Sequence, residues 1–201
     1  MKNKLLILAA LMSMSMMVFA EVGSQTDYTI SEEESSDLTL LREEEKLARD
    51  VYSFLYDKWG MRIFHNISQS EQNHMEQIGQ LLIRYDISDP IVEDIPGIFQ
   101  DESLQSLYDE LTQKGSESLG AALYIGASIE DLDISDLQLA LKRTQKEDIS
   151  FVYDNLTKGS RNHMRSFYKL LEREQLTYNP QYISNEDYRN IITTPKERGR
   201  G

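Results

Sequence analysis

Four stretches of this chain repeat apolar residues at spacings of three and four, and the lengths of their connections restrict how they can pack. Segment A runs roughly from Asp37 to Trp59, with Ser36 or Asp37 as its N-cap and Gly60 at its end. Segment B runs from about Phe64 to Tyr85, segment C from about Glu117 to Thr144 with Ser116 as a cap, and segment D from about Asp148 to Glu174. The A–B and C–D joins are only a few residues long, which makes each pair antiparallel neighbours. The B–C connection, residues 86–116, holds Pro90, Pro96, Gly97 and Gly115 and one short helical stretch, about Glu102 to Gln113. A connection of that length lets the second hairpin cross over the first. No segment alternates with period two, so the expected class is all-α: an antiparallel four-helix bundle with one long crossover carrying a short extra helix.

The ends read differently. Lys2 and Lys4 precede an apolar run from Leu5 to Phe19, and Val18-Phe19-Ala20 leads into polar Glu21. That is the layout of a secretory signal peptide over residues 1–20, and the run is shorter than the ~20 apolar residues of a membrane span. The expected product is an exported protein, periplasmic or extracellular, with no stable membrane insertion after cleavage. Residues 21–36 are acidic and serine-rich and read as a disordered linker. The bundle is placed at 37–176 and a loose C-terminal tail at 177–201, with a short helix near Asn185 to Ile192. The chain has no Cys, which excludes disulfides, iron–sulfur clusters and zinc–thiolate sites. A net charge of −13 argues against a nucleic-acid partner. Metal ions are the expected partners, and a homodimer is compatible with the sequence.

What interrupts the apolar stripes carries the chemistry. Segment A offers two frames: Leu41, Glu45, Ala48, Tyr52, Leu55, Trp59, or Leu40, Glu44, Leu47, Val51, Phe54. Periodicity leaves Glu44 and Glu45 as alternatives. In B the stripe reads Ile67, Glu71, His74, Ile78, Leu81, Tyr85, so Glu71 and His74 share a face one turn apart. In C, Glu130 and Asp133 take adjacent inward positions between Gly126 and Leu137. In D the stripe is Tyr153, Leu156, Ser160, His163, Phe167, Leu170. A lone inward Glu usually snorkels to water, and a lone inward His is usually a satisfied core residue. Here all four segments carry acid or imidazole near mid-stripe, and two of the three histidines fall there.

Burying unpaired carboxylates costs several kcal/mol each, against a total domain stability of ~5–15 kcal/mol. No inward Lys or Arg is expected at those levels, so a divalent metal is the economical counter-charge. Glu45, Glu71, Glu130 and Asp133 carry four negative charges, which two divalent ions would cancel. Mixed oxygen and imidazole ligands suit Fe first, with Mn or Zn as alternatives, in one or two ions. The expected ligands are Glu45, Glu71, His74, Glu130 and His163, with Asp133 as a sixth. His65 reads as a surface residue, Trp59 as core, and Tyr52, Tyr85 and Tyr153 as inward tyrosines; Asn162 is a candidate to orient His163.

These residues resemble the ferritin-like superfamily. Glu45-x-x-Ala48-x-x-x-Tyr52 is similar to the first-helix motif of rubrerythrin-type proteins, and Glu71-x-x-His74 to their second-helix motif. That match favours Glu45 over Glu44. The nearer resemblance is to the uncharacterised ferritin-like family called domain of unknown function 2202. It rests on Arg42 to Tyr52, Ser70 to Met75, Gly126 to Ile134 and Gly159 to Phe167, and spans roughly Leu38 to Ile183. The resemblance implies a ferritin-like bundle and a di-iron or di-manganese redox centre that reacts with O₂ or peroxide. The superfamily pattern has a second Glu-x-x-His on the fourth helix, where this chain has Ser160. Asp133, one turn after Glu130, is the candidate to supply that missing carboxylate. The alternatives are a non-catalytic metal-sequestering or structural-metal protein, with Zn as the example, or an exported interaction module on the same scaffold.

Overall fold

The computed structural model describes residues 29–198. Among them are six helices and no strand: α1 (Glu32–Trp59), α2 (Arg62–Arg84), α3 (Glu102–Gly115), α4 (Leu119–Arg143), α5 (Glu147–Arg173) and α6 (Asn185–Thr193). The expected signal peptide lies outside the described residues. No helix of the described part is long and apolar enough to cross a membrane.

Helix α1 begins five residues earlier than its apolar stripe suggests. Ser31 and Glu34 form a capping box: the Glu34 amide donates to Ser31 Oγ (3.1 Å) and the Ser31 amide to Glu34 Oε2 (3.0 Å). The other Glu34 oxygen accepts from the Thr144 hydroxyl at 2.6 Å. Part of the acidic stretch expected to be disordered is therefore the first turn of α1, fastened to the end of α4. At its far end α1 stops at Gly60, whose φ of 65° is the left-handed conformation that glycine adopts without strain. Ser118 rather than Ser116 caps α4, accepting from the Ala121 amide at 3.0 Å.

Helix α1 packs on α2, α4 on α5, α1 on α4 and α2 on α5. Their shared interior is split. One apolar cluster is built around Val51, Tyr52, Phe64, Ile67, Ala127 and Phe167. The other is built around Leu38, Leu41, Ile78, Leu137 and Leu156. In every long helix the acids and imidazoles fall in the sequence interval between the two clusters. Glu45 lies between Leu41 and Val51, and Glu71 and His74 between Ile67 and Ile78. Glu130 and Asp133 lie between Ala127 and Leu137, and Ser160 and His163 between Leu156 and Phe167. A polar layer is thus sealed above and below by hydrocarbon.

Two peripheral segments lock the bundle. Lys46 is buried, but it faces away from the polar layer: its Nζ meets Asp50 (2.7 Å), the Ile95 and Ile98 carbonyls, and the Phe99 ring (4.1 Å to the centroid). It fastens the connection between α2 and α3 onto α1. The tail expected to be loose is docked instead. Asp131, fully buried on α4, accepts from the Tyr178 hydroxyl (2.7 Å) and from the amides of Gln181, Tyr182 and Ile183. Arg165 on α5 donates to the Ile191 and Thr194 carbonyls at 2.8 and 3.2 Å. Buried polar groups that satisfy one another hold this polar segment, which is why its low hydrophobicity misleads.

Candidate metal centre

Spacing within each helix brings the polar layer together. Glu71 and His74 lie one turn apart on α2, with Glu71 Oε2 2.6 Å from His74 Nδ1. Glu45 on α1 approaches the same nitrogen at 3.2 Å. The second Glu71 oxygen, Oε1, is 3.0 Å from Nδ1 of His163 on α5, and Glu130 Oε2 on α4 is 3.3 Å from that nitrogen. The result is two matching groups, Glu45–Glu71–His74 and Glu71–Glu130–His163, whose donor atoms lie within 4.8 Å of one another in each. Glu71 belongs to both, one oxygen to each. The imidazole rings stack at 5.9 Å between centroids. Glu45, Glu71 and Glu130 are almost fully buried, while the His163 side chain keeps 13% of its surface exposed.

Burial and the neighbouring charges shift the ionisable groups of the centre. Burial disfavours charge on His74, but Glu45 and Glu71 outweigh it and hold the imidazole well above its usual pKa. Burial likewise opposes charge on His163, and Glu71 with Glu130 raises it to about 10. For Glu71, burial raises the carboxyl, yet His163 and His74 together hold it below the ordinary carboxylate range. Burial pushes Glu45 up to about 7 and raises Glu130, with His74 and His163 respectively offsetting part of the effect.

Asp133 stands apart. It belongs to neither group and meets the Ser160 hydroxyl instead. Ser160 Oγ also lies 2.9 Å from the Leu156 carbonyl, and a single hydroxyl proton cannot serve both acceptors. A protonated Asp133 resolves this: its carboxyl donates to Ser160, and Ser160 donates to Leu156. Burial, then Glu45, Glu130 and Glu71, raise Asp133 well above the usual range, in agreement. The Ser160 that replaces the expected Glu therefore binds the carboxyl that was expected to compensate for it.

Two further residues shape the centre, and a third lies outside it. Tyr52 places its hydroxyl 2.5 Å from Glu130 Oε1 and 3.1 Å from the Gly126 carbonyl, so it fixes the outer oxygen of that carboxylate. Gly159 faces His74: a Cβ there would lie 2.7 Å from the imidazole Cε1 and Nε2, so only glycine leaves room for the ring. Glu44, the alternative in segment A, is not part of the centre. With Asp133 it lines a partly open apolar cleft walled by Leu47, Leu107, Leu111 and Ile129, and burial pushes its carboxyl to about 8.

The donor set fits divalent ions. Carboxylates and imidazoles without sulfur suit Fe, Mn or Zn. Glu45 Oε1 is buried with no hydrogen-bond partner, an oxygen left over in a dry layer. The buried cations Lys46 and Arg165 are engaged elsewhere. A model of the family described as an uncharacterised protein domain, DUF2202, matches residues 34–195, a span that contains every residue of the centre. The chain is a DUF2202 protein. This DUF2202 protein is 51% identical over 178 residues to the uncharacterised protein MJ0754 of Methanocaldococcus jannaschii, a match covering 89% of this chain and 96% of the relative. It also superposes on the crystal structure of hypothetical protein MJ0754 from Methanococcus jannaschii DSM 2661 with a TM-score of 0.82 and 51% identity, over 84% of this chain and 97% of that one.

Several other readings from sequence resolve locally. Asn162 does not orient His163: its side chain binds the Glu197 backbone and Arg165. The His65 ring packs at a tilt against Tyr56, 5.0 Å between centroids, away from the centre. Tyr85 donates to Asp148, and the Trp59 indole donates to the Gly115 carbonyl. Sequence reasoning missed Gly159, although a glycine inside a helix one turn before an inward histidine is a visible signal.

Proposed function

We propose that this protein is an exported, ferritin-like metal protein whose bundle interior holds two divalent ions, with Glu71 shared between them. Glu45 and His74 would complete one position, and Glu130 and His163 the other. The carrying observation is that each Glu71 oxygen already faces a different histidine, 2.6 and 3.0 Å away. The ferritin-like assignment draws on four long helices in two hairpins, the long connection with its extra helix, and the Glu71-x-x-His74 motif.

An Fe or Mn pair held by these residues would supply one-electron redox chemistry toward O₂ or peroxide. The chain's own contributions are separate from that. The apolar clusters on either side exclude water, Tyr52 orients Glu130, and the Asp133–Ser160–Leu156 chain keeps a proton within the polar layer. Electrons would come from outside, since the chain has no Cys for a built-in relay centre. A second reading, a sequestered or structural ion such as Zn, is favoured by Ser160 standing where redox-active relatives in the superfamily carry a carboxylate. Metal analysis of protein from its native host tests both, followed by O₂ and H₂O₂ consumption after loading with Fe(II). Consumption faster than by free iron supports the redox reading. A native Zn complement with no such consumption supports the second, and absence of any bound metal rejects both.

A further inference from the structure

The centre reaches solvent at His163, and the charge around that edge is opposite to that of the protein as a whole. His163 forms part of the lining of a surface basin between α2 and α5, with a volume of about 1040 Å³ including its open mouth. One wall is a stripe of α2 that ends one residue before Glu71: Ile63, Asn66, Ile67 and Ser70. The other is a stripe of α5 that runs outward from His163 through Ser166 and Lys169 to Arg173. At ~1.5 Å per residue, Lys169 and Arg173 sit ~9 and ~15 Å along the helix from His163. Lys196 closes the rim.

Every charged group on this lining apart from the histidine is a cation; no acid contributes. In a chain of net charge −13 that is a local inversion. Among the described residues, Lys169, Arg173 and Lys196 form no ion pair. Glu197, the acid next to Lys196, is drawn away: Arg161 binds it at 2.6 and 2.8 Å and Arg165 at 3.0 Å. Asn162 pins the same residue's backbone, at 3.0 Å from its carbonyl and 2.9 Å from its amide. The docked tail therefore presents Lys196 and withdraws Glu197. Ser70 and Asn66 add uncharged hydrogen-bonding groups to the lining.

We infer that this basin binds a small, multiply charged oxyanion, an inorganic one or the phosphate or carboxylate end of a small molecule, and brings it to the His163 edge of the centre. The access role rests on the metal reading above. Two divalent ions against the three carboxylates of the paired groups would leave surplus positive charge for an anion to meet. The binding site itself rests on the basin alone. The apolar cleft that Glu44 and Asp133 line offers no cation to such a guest.

The test uses sulfate, whose charge does not vary with pH, on the purified mature chain at low ionic strength, with and without Zn(II). Amide NMR shifts at Ser70, Ser166 and Lys169 report binding, and metal stoichiometry is measured on the same samples. Metal-free protein is expected to give saturable shifts at those residues. The triple variant Lys169→Gln, Arg173→Gln, Lys196→Gln is expected to bind at least tenfold more weakly, and the control triple Lys58→Gln, Lys114→Gln, Lys142→Gln like the parent. Metal-loaded protein is expected to bind sulfate more tightly than metal-free protein. Non-saturating shifts, or equal losses in both triples, would overturn the binding site. Equal affinity with and without bound metal would overturn the access role. If no metal binds while the basin still saturates, the metal reading fails and the oxyanion site stands.

Discussion

Glu71 on α2 and His163 on α5 meet across the bundle at 3.0 Å, through the carboxylate oxygen that His74 does not use. That one contact joins two half-sites into a single centre. It also means that Glu71 stays ionised in a dry layer only while positive charge stands on both sides of it.

The charge on those two sides sets a pH dependence for the metal-free protein. His163 has a folded pKa of about 10 against ~6.5 unfolded, so its contribution is complete below pH ~6.5 and is lost as pH rises toward 10. Between these limits the folded state holds more protons than the unfolded one, and stability must fall as pH rises. The raised Glu45 acts in the same direction from lower pH. Melts in chelator should show Tm falling from pH 6.5 to 10. Saturating metal should flatten the decline, because ligation releases the imidazole protons. Calorimetry in buffers of different ionisation enthalpy should record that release at pH 7.

Asp133 provides a sharper test of the polar layer. If its carboxyl is protonated and donates to Ser160, Asp133→Asn keeps a donor in the same place. Metal stoichiometry of Asp133→Asn should equal that of the parent protein. Loss of an ion in this variant would make Asp133 a ligand.

Gly159→Ala should act chiefly on His74, since His163 is only at ordinary contact distance. The added methyl carbon would lie 2.7 Å from the ring, which must move away from Glu45 and Glu71. Affinity at one position should drop roughly tenfold or more, while helix content by circular dichroism stays constant.

Much of this was legible in the chain. Four helices, two tight joins and the acids at Glu71 and Glu130 follow from periodicity, whereas Glu45 is separated from Glu44 only by the resemblance of its helix motif. Three features were not legible. Ser31 and Glu34 look like part of a polar leader until their reciprocal capping is seen. Asp131 neighbours Glu130 in sequence but lies on another face of α4, where it gathers a distant segment by hydrogen bonds that no hydropathy pattern announces. The sharing of Glu71 depends on the relative height of α2 and α5, which spacing within one helix cannot supply.

Asp131→Ala tests the docking of that distant segment. It would leave three amides and the Tyr178 hydroxyl without their acceptor, at a cost of about 3 kcal/mol or more. Denaturant unfolding should show the loss, and proteolysis should remove residues 177–198 first.

The shared carboxylate is tested most directly by metal stoichiometry in three variants: Glu45→Gln, Glu130→Gln and Glu71→Gln. Each would be loaded with Co(II), desalted and analysed beside the parent protein. The parent should hold two ions, Glu45→Gln and Glu130→Gln one each, and Glu71→Gln none. A Glu71→Gln variant that retains as much metal as the parent would contradict the shared carboxylate, and with it the centre described here.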